Sequence, residues 1–82
     1  MWHVYIVKCA DGSLYTGIAK DVEARVLLHN AGQGAKYTRA RRPVELVYRE
    51  PVGDHGDALR REYRIKQMAT ENKRRLIAVA GQ

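Results

Sequence analysis

Between His3 and His29 the chain carries two tyrosines, an arginine and a histidine on three segments that adjoin in sequence. Tyr5 and Tyr15 stand on either side of Asp11-Gly12, and Arg25 and His29 follow, one helical turn apart. Phenolic hydroxyls and an imidazole exchange protons, and a guanidinium is a fixed cation whose planar donors suit an oxyanion. Four such groups drawn from adjacent elements read as the layout of a site rather than of an interior. A fifth, Glu62, falls in the middle of an Ala58, Ile65, Ala69 stripe, where an isolated carboxylate is costly and has to be paired or bound to something. An ion pair with Lys66, one turn on, or with an arginine is the structural alternative.

The elements that must position these groups follow from the pattern. Trp2 to Cys9 is nearly continuous in apolar and β-prone residues, as expected of a central strand covered on both faces. Ala10-Asp11-Gly12-Ser13 is turn chemistry, and Leu14 to Ile18 returns as a second strand. The turn decides where the tyrosines go. A two-residue Asp-Gly turn sends Tyr5 and Tyr15 to opposite faces, whereas a three-residue loop with a bulge puts both on one face.

Asp21 is suited to cap a helix from Val22 to Ala31, stopped at Gly32. Val22 and Val26 share one side of it with Arg25 and His29 on the flank, while Ala24, Leu27, Leu28 and Ala31 form a second stripe. The helix is therefore expected to be deeply buried or part of an interface. Gly32 to Pro43 has the composition of a mobile basic loop around Tyr37. Val44 to Tyr48 reads as a third strand that ends near Pro51, and Gly53 to Gly56 as a connection. Asp57 to about Ala69 reads as a helix, and Thr70 opens a last one, Glu71 to Ala80, before Gly81.

Composition bounds the function. The chain of 82 residues suits one small domain, residues 1–82, and its +6 formal charge, from 15 Lys and Arg against 9 acidic residues, calls for a polyanionic partner. Nucleic acid leads and an anionic membrane surface is second. One cysteine, Cys9, makes no internal disulfide and is expected as a buried small hydrophobe. With no spanning or signal segment, a cytoplasmic protein, monomeric or a weak homodimer, is expected.

The order Val4-Tyr5, Tyr15-Thr16-Gly17, Ala19-Lys20-Asp21, Arg25, His29, Glu62 closely resembles the GIY-YIG endonuclease superfamily, above all its small stand-alone bacterial members, over nearly the whole chain. The resemblance implies an α/β (α+β) fold, a three-stranded antiparallel sheet flanked by helices in the order β-β-α-β-α-α. It makes Tyr5 and Tyr15 the motif tyrosines, Arg25 the catalytic arginine, His29 its companion and Glu62 the metal ligand. Together with the need to converge on Arg25, it selects the three-residue hairpin loop. Four positions depart from the pattern, and one of them is Thr16, since the second triplet reads Tyr-Thr-Gly. His3 replaces the first glycine, Ile18 stands where some relatives carry a lysine, and only Asn72 is available for an asparagine after the glutamate.

The implied activity is hydrolysis of nucleic-acid phosphodiesters, with DNA favoured, using a divalent metal, Mg²⁺ or Mn²⁺. One glutamate is sufficient protein ligation for Mg²⁺, which keeps its waters and takes phosphate oxygens. Arg25 would stabilise charge on the phosphate, and Tyr5 or Tyr15, its phenolate favoured by the metal and the guanidinium, is the candidate general base with His29 orienting it or sharing the role. Gly17, Lys36, Tyr37, Arg39, Arg41 and Arg42 are the expected nucleic-acid contacts. Each residue also has a plainer reading. The tyrosines can be core residues, Gly17 a bulge or a point of close helix packing, Arg25 and the basic loop solvated charge, and His29 a cap on helix-end carbonyls. The rival functions are a binding module that has lost catalysis and an interaction protein docking through Leu27 and Leu28.

Overall fold

A computed structural model of the chain describes residues 1–80, so Gly81, the expected stop of the last helix, lies outside the described residues. Three strands, β1 (Trp2–Lys8), β2 (Leu14–Ala19) and β3 (Glu45–Gly53), form an antiparallel sheet in the order β2-β1-β3. As expected from its unbroken apolar run, β1 is central. Its side chains alternate between two cores, one holding Tyr5, Val7 and Cys9 with Val22 and Val44, the other Val4 and Ile6 with Ile65. The first core lies under α1 (Val22–Asn30), and the second under α3 (His55–Lys66) and α4 (Thr70–Ala80).

The hairpin takes the longer of the two possible loops. Gly12 N donates to Cys9 O at 2.9 Å and Cys9 N to Ser13 O at 2.8 Å, with Gly12 at φ +86°, so Ala10-Asp11-Gly12 is a three-residue loop closed by a glycine bulge. Tyr5 therefore pairs with Gly17 and Val7 with Tyr15, which leaves both tyrosines on the α1 face.

Several boundaries differ from the sequence expectation. α1 ends at Asn30, with Gly32 (φ +81°) donating to His29 O and Gln33 donating to Leu28 O, the paired bonds of a glycine-terminated helix end. The Gly32 to Pro43 segment is not a mobile loop. It holds a helical turn, α2 (Lys36–Arg39), and is fastened to the hairpin by Ala10 N donating to Arg41 O at 2.9 Å. β3 continues through Pro51 to Gly53, which an edge strand with a bulge tolerates because it needs no amide there. α3 starts at His55 rather than Asp57, because Asp54 caps it by accepting from Asp57 N at 2.8 Å. It stops at Lys66, which leaves Ala69 exposed and removes it from the expected stripe. α1 is not deeply buried either. Of its residues only Val22 and His29 are buried, and Leu27 is 71% exposed.

Candidate active site

The α1 face of the sheet collects the polar groups that the sequence singles out. Tyr5 and His29 are fully enclosed, and the Tyr5 hydroxyl lies 2.7 Å from His29 Nε2. Tyr15 meets the same imidazole edge-on, with ring centroids 5.4 Å apart. Arg25, one turn before His29 on α1, lies close enough to lower the Tyr5 and His29 proton affinities, and Glu62 reaches from α3 close enough to raise those of both tyrosines. Tyr5 thus feels four other residues, drawn with it from four elements.

The elements explain the placement. Tyr5 crosses directly over Gly17 on β2, where a Cβ would sit 2.5 Å from the Tyr5 hydroxyl, so glycine is required for the ring to lie flat against the neighbouring strand. This gives Gly17 a duty inside the site that neither a bulge nor helix packing describes. His29 is in the last turn of α1 but does not cap it. Its Nδ1 lies 2.7 Å from Thr38 Oγ1, whose hydroxyl lies 3.0 Å from Ala35 O. Gly34 passes so close that an added Cβ would fall 2.2 Å from Nδ1. Thr38 and Gly34 went unnoticed in the sequence, because only the folding back of the basic segment brings them onto the ring.

The electrostatics favour neutral groups before anything binds. Burial pushes the Tyr5 hydroxyl up to about 12, outweighing the opposing Arg25. Burial likewise raises Tyr15, and Glu62 adds to it. His29 falls below its usual 6.5, first through burial and then through Arg25. An unliganded Tyr5 is therefore a protonated phenol facing a neutral imidazole, and the guanidinium alone does not make the phenolate. Glu62 is 18% exposed and touches Lys66 Nζ only loosely, at 3.7 Å, so the pair expected as the structural alternative is present but weak.

The basic segment divides into used and unused cations. Arg41 donates to Asp11 Oδ2 at 3.1 Å and to Tyr37 O at 2.8 Å, and lies over the Tyr37 ring at 3.9 Å. Tyr37 also stacks on Tyr15, with ring centroids 6.0 Å apart. Arg42 donates to Arg39 O and Asn30 O. Arg41 and Tyr37 thus build the wall of the site. Among the described residues Lys36 and Arg39 are exposed and form no ion pair. Ile18 packs into the second core beneath α3, and Asn72 is exposed on α4 beside Met68 and Leu76, away from the tyrosines.

No group of three or more His, Cys, Asp or Glu among the described residues could hold a metal. A closed, soft-ligand site is thereby ruled out for those residues. A single half-hidden carboxylate beside phenols and a guanidinium fits a hard cation that keeps most of its own water.

Comparison with known proteins agrees with this fold. Residues 1–75 match the GIY-YIG catalytic domain model. A UPF0213 protein of Staphylococcus aureus is 65% identical over 74 residues, covering 90% of each chain, and one of Staphylococcus saprophyticus is 58% identical over 76 residues, covering 93% of each. The solution structure of the UPF0213 protein of Bacillus halodurans superposes with a TM-score of 0.61 at 41% identity, covering 96% of this chain and 85% of that one. A model match over residues 1–75, a span that contains both tyrosines, Arg25, His29 and Glu62, makes this chain a member of the GIY-YIG catalytic domain family.

Proposed function

We propose that the protein is a metal-dependent endonuclease that hydrolyses nucleic-acid phosphodiester bonds, DNA favoured, directed by backbone or structure more than by base sequence. The observation that carries this reading is that Tyr5, His29 and Arg25 meet on the α1 face of the sheet, with Glu62 of α3 close enough to act on both motif tyrosines. A guanidinium that forms no ion pair among the described residues stands there beside two phenols, which suits an incoming phosphate. The +6 charge supplies long-range attraction, and Lys36 and Arg39 are free to meet neighbouring phosphates. A domain this small has little surface for reading base edges.

Glu62 would hold Mg²⁺ or Mn²⁺, which when bound supplies neutralisation of the phosphate and stabilisation of the leaving oxygen. Arg25 presents its fork to the charge that builds on the phosphate during in-line attack. Tyr5 is the general base: it takes a proton from the attacking water as it passes its own to His29 Nε2, 2.7 Å away. His29, neutral at pH 7, is in the correct state to receive it. Tyr15 and Tyr37 form the wall that keeps this exchange from bulk water.

A panel of labelled duplex, flap, junction and single-stranded substrates, incubated with and without Mg²⁺, tests the proposal. Cleavage that requires metal, with binding that survives chelation, is expected. In Glu62→Gln, cleavage drops by orders of magnitude while binding holds or tightens and the melting temperature is unchanged. Binding to the panel without cutting of any member would instead favour the inactive binding module. A melting temperature that falls together with activity would make Glu62 a structural partner of Lys66.

A further inference from the structure

Thr38 is fully buried in a segment whose neighbours Lys36, Tyr37, Arg39 and Ala40 are all exposed. Its oxygen touches two groups, His29 Nδ1 at 2.7 Å and Ala35 O at 3.0 Å. A hydroxyl has one proton to give and a carbonyl can only accept. If the proton goes to Ala35, the Thr38 oxygen is left to accept from an Nδ1–H. The neutral ring then offers a lone pair at Nε2, and the Tyr5 hydroxyl donates to it across 2.7 Å. All the protons run in one direction, from Tyr5 through His29 and Thr38 to the Ala35 carbonyl.

In the reverse arrangement Nδ1 accepts from the Thr38 hydroxyl at 2.7 Å and from the Ala35 amide at 3.4 Å, the latter at the outer limit of a hydrogen bond. That turns Nε2 into a donor, and the buried Tyr5 hydroxyl proton, whose one partner among the described residues is Nε2, is left without an acceptor. The enclosure of the ring argues against adventitious contact. Gly34 has no room for a side chain beside Nδ1, and α2 holds the Thr38 backbone in place through Thr38 N and Arg39 N, each donating to Ala35 O at 3.2 Å.

We propose that Thr38 is the positioning residue of this site, fixing His29 as the Nδ1–H tautomer so that Nε2 is ready for the Tyr5 proton. When the transfer occurs the Tyr5 O–H bond breaks and an Nε2–H bond forms. The imidazolium then has both N–H groups placed, Nε2–H on the phenolate oxygen and Nδ1–H on Thr38 Oγ1. The phenolate takes a proton from water in turn, and the resulting hydroxide oxygen bonds to phosphorus as the bond from phosphorus to the leaving sugar oxygen breaks; that oxygen keeps the electron pair and takes a proton from solvent, and the imidazolium returns its extra proton to solvent. The consequence for cleavage rests on the nuclease reading, whereas the tautomer does not.

The test reads the ring nitrogens of His29 directly, by ¹⁵N shifts correlated to the ring protons in the labelled, full-length protein. The wild type is expected to show a protonated Nδ1 and an unprotonated Nε2. Thr38→Val, nearly the same shape without the acceptor, swaps them, since the Ala35 amide becomes the remaining partner of Nδ1. Thr38→Ser keeps the wild-type pattern. On a cleaved substrate Thr38→Val loses on the order of 100-fold, the usual scale of proton-transfer assistance, and Thr38→Ser retains activity. A wild-type ring protonated at Nε2 overturns the proposal without recourse to any variant. So does a Thr38→Val protein that keeps Nδ1–H, or one that swaps tautomer and still cuts like wild type. If the wild type cuts nothing, the nuclease reading falls, while the ring shifts still decide for or against Thr38.

Discussion

The two faces of the sheet each hold a tyrosine in a polar cluster, and the clusters differ in what remains after their internal contacts are counted. On the α3 face the Tyr48 hydroxyl donates to Glu50 Oε1 at 2.6 Å, and Arg61 Nε meets the two oxygens of the same carboxylate at 3.0 and 3.1 Å. Cation and anion close on each other there. On the α1 face Tyr5, His29, Thr38 and Ala35 satisfy their hydrogen bonds with neutral groups, and Arg25 next to them forms no ion pair among the described residues. Both tyrosines are hard to ionise, Tyr5 mainly through burial, Tyr48 through burial and then the Glu50 carboxylate. A perturbed tyrosine is therefore no mark of a site by itself. The uncompensated guanidinium beside it is the distinguishing feature.

Exchanging the two arginines tests that distinction most severely. Arg25→Ala should lower cleavage by roughly 100-fold or more, the cost of one well-placed charge stabiliser, with little change in melting temperature. Arg61→Met should do the opposite. It strands the Glu50 carboxylate at 22% exposure and should cost about 1–3 kcal/mol, read as a fall of several degrees, while folded protein keeps its activity. An Arg25→Ala protein that melts early and an Arg61→Met protein that stops cutting would reverse the assignment of the two faces.

Acidity should separate the faces by a smaller margin. With its native proton affinity below the ordinary 6.5, His29 resists a proton that the unfolded chain accepts. Stability is therefore full above that value and declines as the pH falls below it, by at most about 1.4 kcal/mol per unit for one group. The opposite sign holds for Tyr5, which keeps its proton up to about 12, so stability is lost as the pH rises from 10.0 towards that value. Melting curves of wild type and His29→Asn between neutral and mildly acid pH should converge on acidification. Parallel curves would mean that the imidazole is not shielded.

The smallest effect concerns the basic segment. Binding should weaken steeply with salt, and Lys36→Ala or Arg39→Ala should each flatten the slope by about one unit per phosphate contact. Arg41→Ala should leave the slope nearly intact and lower the melting temperature, because that guanidinium is occupied by Asp11, Tyr37 and the wall of the site. A slope that responds to Arg41 alone would place the phosphate track elsewhere.

The central place of β1 and the presence of the hairpin were legible in the apolar run and the turn residues, which act over short range, whereas the longer loop and the grouping of the tyrosines with Arg25, His29 and Glu62 came from the family resemblance. The sequence was illegible where remote segments return. Nothing in Gln33-Gly34-Ala35-Lys36 signals that the glycine is shaped by an imidazole, and the composition of the basic segment conceals α2 and the fully buried Thr38. Nor does the sequence around Gly17 show that the Tyr5 ring lies against it. The start of α3 was readable from Asp54, yet Gly53 and Gly56 suggested a connection, whereas Gly56 is accommodated inside the helix.

Surface loops ordinarily accept changes in length with little harm, yet the Ala10-Asp11-Gly12 loop has no such freedom. Side chains alternate along a strand, so adding or removing one residue between Lys8 and Leu14 would invert which members of β2 look towards α1. Tyr15 would turn under α3, Ile18 would turn out of its core towards α1, and the space left open by Gly17 would no longer lie beneath Tyr5. An indel of two would restore the alternation but slide Tyr15 along the sheet by one pair. This exposed turn, remote from any reacting group, acts as an odd-even selector for the whole α1 face, so its length should be as intolerant of drift as the identity of Arg25 or Glu62.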